Sequence, residues 1–145
     1  MGQQQLLLLV LATVIVGLAT VAGIQAFNEG QTQATRDALV QRGIEIGNDM
    51  LAAHEKPSQF GGVDITSDAP EDIAQAAGYD SKTPSADGAG NGASCQIGNG
   101  NPAKVKCADN GSYSQASGNE YVEIDVDPNS QDVSVLTIND REIGS

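Results

Sequence analysis

The chain begins as an apolar block and later changes period. Residues 1–28 carry no charged side chain, and Leu6 to Phe27 reads LLLLVLATVIVGLATVAGIQAF. As an α-helix this run spans about 33 Å, enough to cross a hydrocarbon core of ~30 Å. No proline follows until Pro57, so the helix is predicted to continue through Lys56 and stop there. In this second half the apolar positions become periodic. Leu39, Gly43, Ile46, Met50 and Ala53 form one stripe, and Val40, Ile44, Gly47 and Leu51 form a second beside it. One stripe suffices for packing on the chain's own head. The second is read as a surface for neighbouring subunits, with a single wide core-facing arc as the plainer alternative.

Beyond residue 56 the pattern shortens. Ile65 to Ala69 reads as an extended segment. Ala69 to Gly78 reads as a short helix, with Pro70 in the first turn, Glu71 and Asp72 behind it and glycine at the end. The stretch SKTPSADGAGNGASCQIGNGNP is too rich in turn residues for long regular structure. Strict alternation then appears twice, in Tyr121–Asp127 and Asp132–Ile138, with Asp127-Pro128-Asn129-Ser130-Gln131 between. This predicts a β-hairpin whose Val122, Ile124 and Val126 lie against the amphipathic helix. Val105 and Gly111 to Tyr113 are expected to add strand residues. The predicted fold class is α+β: a long N-terminal helix packed on a small antiparallel sheet head with a disulfide loop. Its parts are 1–28, an apolar membrane or filament-core half-helix; 29–56, an amphipathic half; and 57–145, a small β-rich head.

Charge and composition narrow the chemistry. The chain has 145 residues and a formal net charge of −12, all of it beyond residue 28. Phosphate backbones would be repelled, so no nucleic-acid partner is expected. Eleven residues separate the only two cysteines, Cys95 and Cys107. With an apolar segment upstream, they are read as a disulfide formed in an oxidising compartment, worth about 2–3 kcal/mol in the loop-entropy model. Two free thiols are the alternative. A metal site is disfavoured because the single histidine, His54, lies far off on the helix. No metal and no cofactor are therefore expected.

No catalytic constellation is visible, and the chain is not expected to be an enzyme. Gly88-Ala89-Gly90-Asn91-Gly92 lacks the strand-then-helix setting of a dinucleotide loop and reads as a flexible loop. Asp125, Asp127 and Asp132 flank the hairpin turn in a pattern compatible with Ca²⁺, but acidic turn residues are ordinarily just solvated. His54 reads as a helix-surface or interface residue. Asn110-Gly111-Ser112 fits a glycosylation sequon. Residues 1–28 do not read as a removable secretory signal, since a cationic start is missing and the apolar run is too long. Either a short basic leader has been removed or another signal orients the helix.

An apolar N-terminal helix continuing into an amphipathic half, followed by a small β head with a disulfide loop, resembles the type IV pilins and related pilin-like filament subunits. The resemblance covers the whole architecture, while its motif-level support lies in the first 28 residues. It implies a short leader cut after a glycine, N-methylation, residence in the inner membrane, and delivery by pilus assembly machinery to a cell-surface filament. Identical subunits would pack their apolar helices in the filament centre with heads outside. Met1 and Gly2 are the expected processing positions. With Met1 as the first mature residue, Gln5 stands where the family usually has glutamate. With cleavage after Gly2 the chain begins at Gln3, and Leu7 stands there. The family's usual proline near the end of the apolar segment is absent, leaving Gly17 and Gly23 as weak points. The assembly interface implied comprises Gln5, Leu6, Leu9, Ala12, Val16, Gly17, Gly23 and Phe27. Small residues, including Ala19 and Ala22, permit close helix approach. The leading expectation is a structural subunit of an extracellular filament. A minor pilin or secretion pseudopilin, and a monomeric membrane-anchored extracytoplasmic binding domain, are the alternatives.

Overall fold

The computed structural model describes residues 2–113 and 119–139, and the backbone of 141–142. The fold is α+β: a helix α1 (Gly2–Glu55), a 3₁₀ turn (Ser58–Phe60), a helix α2 (Pro70–Ala77), and strands β1 (Ser94–Ile97), β2 (Ala103–Ala108), β3 (Tyr121–Asp127), β4 (Asp132–Ile138) and β5 (Arg141–Glu142). The chain divides into two units, 1–33 and 34–145, so the amphipathic stretch from Ala34 belongs with the head.

The strands form one antiparallel meander in the order β1-β2-β3-β4-β5. Period-2 patterning gives the sheet two faces. Cys95 and Ile97, then Ala103, Val105 and Cys107, then Val122, Ile124 and Val126 are buried on the inner face. In unit 34–145, Leu39, Ile46 and Met50 of α1 join them in one core with Ile65 and Ile73. The hairpin β3–β4 and its inward valines fall where the alternation places them.

Two glycines explain how closely this helix lies on the sheet. A Cβ built on Gly43 would overlap Ile124 Cδ1, and one on Gly47 would come within 2.8 Å of Val133 Cγ1. The second apolar stripe therefore does not await a neighbour. Gly47 and Leu51 are buried, and Val40 and Ile44 are half-buried against the same core. The wide core-facing arc is what forms.

The short helix is as expected. Pro70 starts it, Glu71 and Asp72 occupy its first turn, and Gly78 closes it at φ 96°. The Gly78 N–H donates to Gln75 O and the Tyr79 N–H to Ala74 O, a paired C-terminal cap that satisfies two orphan carbonyls. Ile65–Ala69 is not extended. The Asp64 carboxylate accepts from the Thr66 N–H and hydroxyl, while the Asp68 N–H donates to Asp64 O at 2.9 Å. This local side-chain capping wins over extension and turns Ile65 into the core. Gly111–Tyr113 lies outside the strands, whereas Val105 is central to β2. The glycine-rich stretch is a folded turn rather than a loose loop. The Ala86 N–H donates to Ala93 O, and Ala86, Ala89 and Ala93 are buried, with Gly88, Gly90 and Gly92 at positive φ between them.

Candidate assembly surface

The helical unit 1–33 is dominated by the apolar run from Leu6 to Phe27. Its helix-spanning window is long and apolar enough to cross a membrane, and none of it is buried within the chain. Leu6, Leu9, Val16 and Phe27 each expose between 64 and 67% of their surface. Helical spacing sorts the expected interface residues. Gln5, Leu9, Ala12, Val16, Gly23 and Phe27 follow one another at three- and four-residue steps or their sums, so they share one face. Leu6 and Gly17 stand on an adjoining face. Beyond the helix's own backbone, no atom of the described residues lies within 4 Å of a Cβ built on Gly17 or Gly23, so no such contact requires glycine at either position. The processing position Met1 lies outside the described residues; Gly2 begins the helix.

The threonines in the apolar run need no outside partner. The Thr13 hydroxyl donates to Val10 O and the Thr20 hydroxyl to Val16 O, both at 2.8 Å. A groove on the bare helix is lined by Gln3, Leu6, Leu7, Val10, Leu11 and Val14. It is an open furrow between side chains of one helix.

Cys95 and Cys107 are bonded, with Cα atoms 3.9 Å apart, and face each other in the β1–β2 register. The bridge staples two adjacent strands and closes the loop between them. The outer edge of β1 is covered as well: the Cys95 N–H donates to Pro84 O and the Ile97 N–H to Lys82 O.

The head's remaining polar groups engage one another. Arg36 on α1 forms a two-pronged ion pair with Glu120, whose carboxylate also accepts from Asn139; Asn139 in turn accepts the Tyr121 N–H. Arg36 and Glu120 are 84 residues apart, and no local pattern announces the pair. On the outer sheet face, Lys104 and Lys106 flank Glu123, and the Tyr121 hydroxyl donates to the same carboxylate at 2.6 Å. Burial pushes Glu123 upward, but the Lys104 and Tyr121 hydrogen bonds and both lysine charges outweigh it and hold the carboxyl below its ordinary range. Asp125 goes the other way: burial raises it, and Lys104 at 3.8 Å only partly compensates.

A polar cleft beside Arg42, Tyr79 and Ser85 offers little to a ligand. Arg42 donates to Ser85 O and to Glu45, and its guanidinium sits 5.4 Å from the Tyr79 ring centre. The Tyr79 hydroxyl donates to Asp49, and burial followed by that carboxylate pushes the phenol upward. His54 is half-buried and bonds through Nδ1 to Val63 O, tying down the chain reversal after Pro57.

The three aspartates of the hairpin do not converge. Asp127 and Asp132 are register partners, and the Asp127 carboxylate accepts the Asn129 N–H. Asp125 pairs instead with Ser134 and sits near Lys104. Among the described residues no group of three His, Cys, Asp or Glu side chains is placed to hold a metal. Asn110 is exposed, and its carbonyl accepts the Ser112 N–H. Compared with known proteins, the chain matches no family model, no curated protein and no solved structure.

Proposed function

We propose that this chain is a structural subunit of an extracellular pilin-like filament. It would be held in the membrane by its apolar helix before assembly and would polymerise through that helix afterwards. The observation that carries the reading is the uncovered, uncharged surface of residues 2–28 on a chain that also builds a disulfide-stapled head. Taken out of lipid, such a helix exposes roughly 1,500–2,000 Å² of apolar surface. At ~25 cal/mol/Å² that is tens of kcal/mol, which packing against identical helices would remove. A heterologous contact of this kind propagates as an open helical polymer.

One observation favours a second reading, a monomeric membrane-anchored extracytoplasmic domain. The amphipathic part of α1 is consumed by its own head, leaving no second apolar stripe for a neighbour. Only the first 33 residues would then drive association. Negative-stain microscopy of the sheared surface fraction separates the two. Filaments containing this chain are expected, and full-length Leu9→Arg or Val16→Arg is expected to abolish them while the head keeps its disulfide. An unpaired charge in the filament axis costs several kcal/mol per subunit. Normal filaments from either variant would remove the central-helix reading. A membrane fraction holding only monomers would favour the anchored domain.

A further inference from the structure

We propose that the Asn110 side-chain nitrogen is an attachment site for a carbohydrate, transferred from a lipid-linked oligosaccharide on the outer side of the membrane. The proposal needs an extracytoplasmic head but no filament, so it stands or falls apart from the assembly reading.

Asn110 is the only asparagine in the chain with serine or threonine two places on. Transferases that glycosylate asparagine take the amide nitrogen as nucleophile and require a hydroxyl at that third position. The local structure suits the reaction. Strand β2 ends at Ala108, and Asn110 is exposed on the turn that leaves it. Its Oδ1 accepts the Ser112 N–H at 3.0 Å, closing an Asx turn. Only the oxygen of a carboxamide can accept that N–H, so Nδ2 is the atom left over. Gly111 makes the turn possible. Its φ is 71°, and a Cβ there would come within 3.3 Å of Ser94 Oγ.

That nitrogen sets Asn110 apart from other asparagines of the head. Asn99 donates its Nδ2 to Asp68 O, Asn129 to Asn101 and Asp127, and Asn139 to Glu120. Those nitrogens tie loops together. Among the described residues Asn110 Nδ2 has no hydrogen-bond partner, so substituting it breaks no such bond of the fold. A glycan is bulky and strongly hydrated, and a surface turn is where a fold can carry one. The Cys95–Cys107 bridge suits an oxidising compartment. A helix long and apolar enough to cross a membrane would keep the chain beside a donor that is itself a membrane lipid.

In the transfer, Nδ2 attacks C1 of the first sugar of a polyprenyl-diphosphate oligosaccharide. The Nδ2–C1 bond forms and the bond from C1 to the phosphate oxygen breaks. Polyprenyl diphosphate leaves with the bonding electron pair, and Nδ2 gives one proton to a base of the transferase. Nothing is oxidised or reduced.

The test is mass spectrometry of the full-length protein purified from the cells that naturally make it. After reduction and trypsin, the fragment 107–141 is expected to carry a mass increment composed of sugar residues, located on Asn110 by electron-transfer fragmentation. The increment should be lost completely in Asn110→Gln and in Ser112→Ala. It should be kept in Ser112→Thr, which retains the hydroxyl. Thiol labelling that finds Cys95 and Cys107 still bonded checks that each variant's head is folded. An unmodified Asn110 in the wild type would overturn the proposal, as would an increment that survives Asn110→Gln or Ser112→Ala. Conversion of Asn110 to aspartate alone, the mark of deamidation through the Gly111 nitrogen, would overturn it too. The readout is the same whether or not the chain forms filaments, so a failure of the assembly reading leaves it intact.

Discussion

Glu123 and Asp125 are two residues apart on the same outer face of β3, share Lys104, and are displaced in opposite directions. The difference is hydrogen bonding. Glu123 accepts from Lys104 and Tyr121, while Asp125 keeps a buried Oδ1 without a hydrogen-bond partner. A carboxyl held below its ordinary value supports the fold when ionised. The Glu123 contribution is therefore full above about pH 4.5 and is lost as pH falls through its lower folded value. A carboxyl held above its ordinary value opposes the fold when ionised, so the Asp125 penalty is full at neutral pH, fades as pH falls through its raised folded value, and is gone below about 3.8. Glu123→Gln should cost about 1–2 kcal/mol at pH 7, discounted for the exposure of Lys104, and less at pH 3. Asp125→Asn should be stabilising by on the order of 0.5 kcal/mol at pH 7, with the gain shrinking at pH 3. Urea titrations at the two pH values check both signs. A gain for Asp125→Asn that grows on acidification would refute the assignment.

The long helix uses glycine in two ways, and substitution separates them. At Gly43, alanine would gain about 1 kcal/mol of helix propensity, but overpacking against buried Ile124 and the Cys107 sulfur costs about 1–3 kcal/mol. A net loss of about 1 kcal/mol in head stability is expected by denaturant titration. At Gly17 no neighbour within the chain objects, so Gly17→Ala should leave the head unchanged. If filament helices approach closely there, it should lower the polymer yield in a sedimentation assay. Gly43 and Gly47 were legible as members of apolar stripes, but their role as small residues beneath Ile124 and Val133 was not, because a stripe does not say what it faces. The same limit explains the second stripe, whose periodicity fits a neighbour and its own head equally well. Long elements with strong period were readable: α1, the β3–β4 hairpin and the Pro70–Gly78 helix. Of the first two strands, Val105 marked β2 but not its bounds, because the alternation of Ala103, Val105 and Cys107 rests on small residues, and turn residues crowd β1. The turn at Asp64 was missed because side-chain capping overrode a short apolar pattern. Cys95 and Cys107 were legible as a pair, but not that they face each other across two strands.

For the whole molecule, the cations of the head are largely used internally. Residues 34–145 hold 7 Lys and Arg against 18 of the 19 acidic residues, Glu29 being the other, so the unit carries 7 − 18 = −11. Arg36, Arg42, Lys82, Lys104 and Lys106 all sit in ion pairs within the head. Heads crowded side by side on a filament would therefore meet acid with acid. Screening reaches ~10 Å at 0.1 M salt and ~30 Å at 0.01 M. Filaments are expected to persist between 0.15 and 1 M salt and to shorten or dissolve at about 0.01 M, read as mean length by negative stain. Length independent of salt would contradict this. The β1–β2 staple has a mechanical consequence. The bond spans a sequence separation of 12, so a head pulled open from its two ends keeps that stretch behind a covalent tether. At ~3.4 Å per residue, the hidden slack is about 40 Å. Force spectroscopy with and without reductant should differ by about that contour length per head. The oxidised subunit would then yield less extension before its chain is taut, and a fibre of such subunits would be correspondingly less extensible beyond the point where its heads give way.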